Sequence, residues 1–302
     1  MNNWPKVFVI ILNWNGRQLL ADCIKSLQAI TYPNYSMLVV DNGSTDGSVE
    51  MVRQKYPQVE IIQNETNLGF SKANNIGIKQ ALASGAEYVL LLNNDVEVAP
   101  DFIDKLVQVA ILDKKNGIVG PKIYFYDRPN VIWFAGGVID FRYWGGGHIG
   151  YKEEDHGQYN AIKEVDMITG CSMLIKKEVI DKIGLLDENY FLYSEDTEYC
   201  YRAKLAGFNN IYVPSAIIWH KASSTNIVDS PLMDYYLFRN SLYFSYTYLK
   251  GKKRPVFLFY FSMRVVKQLI KKMLFLKFSN IKAIILGCLD YYRGVRGKSP
   301  YY

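Results

Sequence analysis

The chain has 302 residues and is poor in cysteine. Its four, Cys23, Cys171, Cys200 and Cys288, stand far apart and fit no zinc or redox spacing. They read as reduced thiols of a cytoplasmic protein. Long apolar runs are missing too. Nothing approaches the ~20 uncharged residues of a spanning helix, and Val7 to Leu12 is only strand-length, so no signal peptide is expected. There is no internal repeat and no low-complexity tract. Two phosphate-binding signatures are absent. The first strand is not followed by G-x-G-x-x-G, which argues against a dinucleotide dehydrogenase, and no G-x-x-x-x-G-K-[ST] occurs, which excludes a P-loop at the motif level.

What is present is a globular composition, 49% apolar and 21% charged, with aromatics at 15%. The net charge of +6 is unevenly spread. Lys250 to Tyr302 holds thirteen Lys or Arg against one acid, Asp290, so this stretch carries +12 and the preceding residues −6. A slightly acidic body with a basic tail implies two functional regions, with a boundary expected at about residue 228.

The first hundred residues alternate strand and helix. Val7 to Leu12, Met37 to Val40, Val59 to Ile62 and Val89 to Leu92 are short apolar runs suited to strands buried on both faces. Leu19, Leu20, Cys23, Ile24 and Leu27 recur at helical spacing. Further helices are expected near Ser48, capped by Ser44 or Asp46, and from Lys72 to Ser84. This order predicts a parallel, doubly wound sheet. Each strand ends in a polar loop: Asn13-Trp14-Asn15-Gly16, Asp41 to Gly47, Asn64 to Phe70, and Asn93-Asn94-Asp95. One such loop is a turn. Four on one sheet edge form a polar cleft where open α/β sheets bind ligands. Asp95 with two adjacent amides suits a hard metal ion and a hydroxylated ligand.

Val39-Val40-Asp41-Asn42-Gly43-Ser44-Thr45-Asp46 resembles the Asp-Asx-Gly-Ser motif of family-2 glycosyltransferases with the GT-A fold. Asn67-Leu68-Gly69-Phe70, with Ala73-Asn74-Asn75-Ile76-Gly77, resembles the rhamnosyltransferase-like branch. Leu92-Asn93-Asn94-Asp95 is similar to its variant of the Asp-x-Asp metal motif. Asp187-Glu188, Glu195-Asp196, Arg202, Gly207-Phe208, Val213-Pro214 and His220 follow in family order. The resemblance runs from about Lys6 to Ser224. It implies a mixed sheet flanked by helices, and it assigns roles. Asp41 would accept the ring N–H of a uracil or thymine. Asn93 stands where relatives place a ribose-binding aspartate. Asp95 and His220 match metal ligands for Mg²⁺ or Mn²⁺. Thr169-Gly170 would lie near the donor sugar, and Asn13 and Asn67 complete the nucleotide-sugar site. Of the two acids opening the helix at Glu195, the family pattern makes Asp196 the general base and Glu195 its support. The Gln-x-x-Arg-Trp signature of processive relatives is absent, which implies addition of one sugar per encounter.

The segment from Asn116 to Ser224 is less regular. Gly136-Gly137 and Gly145-Gly146-Gly147 are expected to mark tight turns. Between them Trp133, Phe141, Tyr143 and Trp144 read either as a β-excursion packed on the sheet or as a flap stacking on sugar faces, with Asp155 and His156 as possible lining. In the tail, Val265, Val266, Leu269, Ile270, Met273 and Leu274 form an apolar helical face, with Arg264, Lys267, Lys271 and Lys272 largely opposite. A basic amphipathic helix of this kind reads as lying at a membrane interface or as packed on the body with a solvated basic face, and nucleic acid would not need such an apolar face.

The expectation is therefore an inverting, metal-dependent transferase. It would use a dTDP- or UDP-sugar, act on a lipid-linked or surface glycan, and sit peripherally on an anionic cytoplasmic membrane face. The rivals are a sugar-1-phosphate nucleotidyltransferase, which should carry a Gly-rich basic loop after the first strand, and a glycan-binding protein, which would not require a base.

Overall fold

Strands that are apolar throughout have no solvent face, and here they become the centre of one sheet. In the computed structural model, which describes residues 4–142, 145–222 and 229–301, β1 (Val7–Asn13), α1 (Arg17–Leu27), β2 (Tyr35–Asp41), α2 (Ser48–Lys55), β3 (Glu60–Gln63), α3 (Gly69–Ala83) and β4 (Tyr88–Asn93) follow one another. β1 pairs in parallel with β2 and β4, and β2 with β3. The register sets Asn13 opposite Asp41 and Leu12 opposite Asn93, so the polar strand ends share one edge. Val7, Val9, Ile10, Val39, Val40 and Leu90 are completely buried. Helix α3 lies so close to the sheet that a Cβ at Gly77 would come within 2.7 Å of Ile10.

Beyond β4 the parallel pattern ends. The chain continues through β5 (Val96–Val98), α4 (Phe102–Leu112), β6 (Asn116–Phe125), β7 (Arg128–Phe134), β8 (Gly137–Asp140), β9 (Gly145–His148), β10 (Lys163–Val165), β11 (Ser172–Lys176), α5 (Lys177–Ile183), α6 (Glu195–Leu205) and β12 (Asn209–His220). The strand order is β10-β12-β6-β11-β4-β1-β2-β3, with β5 on β12 and β7 on β6. β11 is antiparallel to both β4 and β6, so the sheet is mixed and not uniformly parallel. An antiparallel insertion needs no crossover helix, and a five-residue apolar strand looks the same in either direction. The expected turn at Gly145 to Gly147 is instead strand β9, paired with β8. Gly146 answers a packing need, since a Cβ there would lie 2.5 Å from the Met167 sulfur. Tyr143 and Trp144 lie outside the described residues, as does Ser224.

Three helices close the chain: α7 (Pro231–Tyr248), α8 (Lys253–Leu274) and α9 (Phe278–Tyr292). α7 is a core element. Ser230 caps it through the Met233 N–H at 3.2 Å, and Tyr235, Tyr236, Phe238 and Phe244 are buried. α9 packs on it so closely that a Cβ at Gly287 would be 2.5 Å from the Tyr235 carbonyl oxygen, and the buried Asp290 accepts from the Tyr235 hydroxyl at 2.8 Å. α8 differs from the expected face. Val265 and Leu269 turn inward onto a cluster around Phe257 and Phe261. Lys272 is buried against Asp229 and Asp234. Phe259, Met263, Val266, Ile270, Met273 and Leu274 point to solvent at helical spacing, with Leu274 77% exposed. No helix among the described residues is long and apolar enough to cross a membrane.

Candidate active site

The edge formed by β1, β2 and β4 is a network of amides around one carboxylate. Asp41 is buried; its Oδ2 accepts from Asn13 Nδ2 at 2.9 Å and its Oδ1 from the Ser44 N–H at 2.8 Å. Asn13 Oδ1 accepts from Asn94 Nδ2 at 2.7 Å, which ties β1 to the β4 loop. Gly16 makes room for this contact, since a Cβ there would overlap the Asn94 amide at 2.2 Å. Asn67 is drawn in through Asn42, whose Nδ2 donates to Asn67 Oδ1 at 3.2 Å. Ser44 does not cap α2. It accepts from the Asn15 N–H, and Asp46 joins two helix starts by accepting from the N–H groups of Arg17 and Ser48.

Asp95 and His220 are 125 residues apart in sequence and meet because β5 pairs with the end of β12, Val96 opposite His220. Asp95 Oδ2 lies 3.2 Å from His220 Nε2, and both side chains are buried. Asp95 Oδ1 and His220 Nδ1 have no hydrogen-bond partner. Burial alone would raise the Asp95 pKa, but His220 beside it holds the carboxyl below its ordinary value. Trp133, at the end of β7, meets the His220 ring edge-on at 4.5 Å and also packs on His148. Asn93 bridges to the next group, its N–H donating to the Cys171 carbonyl at 3.0 Å.

Thr169 and Gly170 sit just before β11, next to that contact. The Gly170 N–H donates to Asp196 Oδ2 at 3.0 Å. Asp196 Oδ1 accepts from the Thr197 N–H at 2.6 Å and the Thr197 hydroxyl at 3.2 Å. A backbone bond, Asn93 to Cys171, and a backbone-to-carboxylate bond, Gly170 to Asp196, thus link β4 to the start of α6. Asp196 is partly exposed and faces a cavity of about 150 Å³ shared with His148, Met167, Ser194 and Leu237. Glu195 lines the same cavity but is buried, and its Oε2 has no partner. Burial, and then the neighbouring Asp196, raise the Glu195 pKa well above the carboxylate range. Two adjacent acids thereby stand in unlike surroundings, Glu195 buried and Asp196 partly exposed.

The loop before α6 is strained. Tyr193 and Ser194 have φ of 68° and 72°, uncommon for residues with a side chain. Asn240 of α7 holds this loop, its Nδ2 donating to the carbonyls of Leu192 and Tyr193 at 3.0 and 2.7 Å. Sequence reasoning missed Asn240 and Leu237, since no local motif marks either; Asn94 was visible in the strand-end motif but was assigned no role. Asp155 does not line the cleft. It pairs with the buried Lys122 at 2.7 Å, while His156 is exposed beside Glu154. Cys23, Cys171 and Cys200 are buried free thiols, with pKa values raised by that burial.

This arrangement of strand-end amides, an Asp–His pair and a helix-start acid accompanies a match to the glycosyl transferase family 2 model over residues 8–184. The chain belongs to glycosyl transferase family 2. As a member it is similar along its whole length to the dTDP-rhamnosyl transferase RfbF of Shigella flexneri, with 28% identity over 98% of each chain. It is 29% identical to the N-acetylglucosaminyl-diphospho-decaprenol L-rhamnosyltransferase of Mycobacterium tuberculosis, over 72% of this chain and 76% of that protein. An uncharacterized protein of Sinorhizobium fredii, y4gI, is also 29% identical over 74% of this chain, which spans only 25% of it. Among solved structures, the mannosyltransferase PcManGT of Pyrobaculum calidifontis, in complex with GDP-Man and Mn²⁺, superposes with a TM-score of 0.61 at 14% identity, over 96% of this family 2 chain and 88% of its own. That likeness fixes the GT-A fold.

Proposed function

We propose that this chain is an inverting glycosyltransferase that moves one sugar, rhamnose foremost, from a dTDP- or UDP-sugar to a lipid-linked or surface glycan. The observation that carries the reading is the joining of two chemistries at one edge: the Asp95–His220 pair, and Asp196 held 3.0 Å from the Gly170 N–H. The relatives named for rhamnosyl transfer favour the sugar and a lipid diphosphate acceptor.

Asp41 and Asn13 would receive the pyrimidine base, Asn67 and Asn93 the sugar-nucleotide hydroxyls, and Thr169-Gly170 the donor sugar. The buried, unpartnered Asp95 Oδ1 and His220 Nδ1 are an oxygen and a nitrogen donor that suit Mg²⁺ or Mn²⁺. The described residues hold no group of three or more His, Cys, Asp and Glu ligands, so the donor's diphosphate would complete the shell. When bound, the ion supplies Lewis-acid stabilisation of the leaving diphosphate. Asp196 takes the proton of the acceptor hydroxyl as that oxygen forms its bond to the anomeric carbon. The bond from that carbon to the diphosphate oxygen breaks in the same step, the nucleotide diphosphate departs, and the configuration inverts. Glu195, neutral and buried, spares Asp196 a second adjacent negative charge. Leu237 and the Asn240-held loop shape the acceptor side.

The exposed apolar stripe of α8, with Lys267 and Lys271 on the same helix and a regional charge of +12, favours docking on an anionic membrane surface at the cytoplasmic face. The test of the whole reading is a thermal-shift screen of dTDP- and UDP-sugars with Mn²⁺, followed by transfer to an N-acetylglucosaminyl-diphospho-lipid. Mn²⁺-dependent stabilisation by at least one donor is expected; stabilisation by none contradicts the reading.

A further inference from the structure

A second cavity, of about 700 Å³, stands apart from the one at Asp196. It lies between the β8–β9 hairpin, the far part of α6 and the start of α8. Its floor is apolar and aromatic: Phe141 packs on Tyr201 at 5.7 Å, Tyr201 on Tyr248 at 4.8 Å, and Phe257 closes the base. Its rim is cationic. Lys250, Lys252 and Lys253 line it, all three exposed, and none forms an ion pair with an acid among the described residues. The one acid in the lining, Asp140, is taken by Arg142 at 2.8 Å. Lysines at the start of α8 also oppose the helix dipole, with no acidic residue in its first turn. Like charges crowded over an aromatic floor are unfavourable in the empty protein and favourable around an anion with an apolar body.

The position fits such an occupant. Tyr201 of this cavity and Asp196 of the smaller one stand on the same helix, five residues apart, which is about 7.5 Å along its axis and about 140° around it, so the two cavities flank α6. The hairpin lines both cavities, the large one through Ile139 to Arg142 and the small one through Gly146 and His148. From the rim, the cavity residue Val256 leads onto the exposed stripe of Phe259, Met263 and Val266.

We infer that this cavity receives the diphosphate of an isoprenoid-type carrier lipid. Lys250, Lys252 and Lys253 would bind the phosphates, the first lipid units would lie on Phe141, Tyr201 and Phe257, and the chain would leave along α8. The attached sugar is then directed toward Asp196. This inference rests on the transferase reading and specifies where its acceptor sits.

The test uses the full chain with farnesyl diphosphate as probe, measured by calorimetry against farnesol, inorganic diphosphate and phosphatidylglycerol vesicles. Farnesyl diphosphate should bind more tightly than farnesol or inorganic diphosphate. The double variant Lys252→Glu, Lys253→Glu should weaken it by at least about tenfold while thermal melting and Mn²⁺-dependent donor binding stay as in the parent. Equal binding by parent and variant overturns the site. So does inorganic diphosphate binding as tightly as the lipid form, or phosphatidylglycerol vesicles competing it away completely. Failure of the parent to bind any nucleotide sugar, with lysine-dependent farnesyl diphosphate binding intact, would instead overturn the transferase reading and leave a lipid-phosphate site.

Discussion

The two sides of the cleft are built differently. On the proposed donor side, Asn13, Asp41 and Asn42 stand at strand ends, Asn67 stands in the loop before α3, and they satisfy one another through amide and carboxylate bonds. On the proposed acceptor side, Glu195 keeps a buried oxygen without a partner, Tyr193 and Ser194 hold left-handed backbone, and the support comes from a helix 45 residues further on, through Asn240. Parallel register sets the donor-side strand ends beside one another. The acceptor side holds strain and a raised acid pKa, the features expected where chemistry is done and not only where a ligand is held.

The largest effect that would sharpen this contrast is at Asp196. Asp196→Asn should lower kcat by ~10²–10⁴-fold and leave the KM for donor near that of the parent in steady-state kinetics. Retention of more than about a tenth of kcat would move the base to another group. Next comes the helix face. Val266→Glu with Ile270→Glu should sharply reduce co-sedimentation with anionic liposomes and leave neutral-liposome binding low in both forms. These substitutions are preferable to removing the chain beyond Tyr248, because α9 packs on α7 and its loss would disturb the site. Asn240→Ala should cost about 1–3 kcal/mol through two unsatisfied carbonyls, lower kcat, and leave donor binding intact. If donor binding fell equally, α7 would support both sides and the contrast would dissolve.

The smallest effect is on stability against pH. The folded chain holds a proton on Glu195 that the unfolded chain releases above about pH 4.5, so this burial costs stability increasingly as pH rises past that point. Glu195→Gln is neutral throughout and escapes the penalty. Its Tm relative to the parent should therefore climb as pH rises above about 4.5; a difference that stays flat with pH would mean Glu195 is ionised in the fold.

The same contrast explains what could be read in the sequence. The donor edge was legible because Val7 to Leu12, Val39-Val40 and Val89 to Leu92 are apolar without interruption and then stop at Asn or Asp. Asp95 and His220 were legible as two separate strand ends, but β5, which brings them together, is three residues long and gives no periodic signal. β11 hid its direction. Gly146 of β9 looked like a turn residue, although what requires glycine there is crowding by Met167. α7 was read as part of an aromatic tail because it is apolar on nearly every side, and a helix buried all round loses the one-faced pattern that marks its packing. The raised Glu195 pKa depends on burial, which adjacent letters do not record.

The division of labour between the two sides is tested most directly by titrating a nucleotide sugar and Mn²⁺ into Asp196→Asn and Asp95→Asn side by side. Asp196→Asn should bind the donor as the parent does, in a Mn²⁺-dependent manner, and Asp95→Asn should lose the Mn²⁺-dependent part. Mn²⁺-dependent binding that survives in Asp95→Asn, or disappears in Asp196→Asn, would contradict the account.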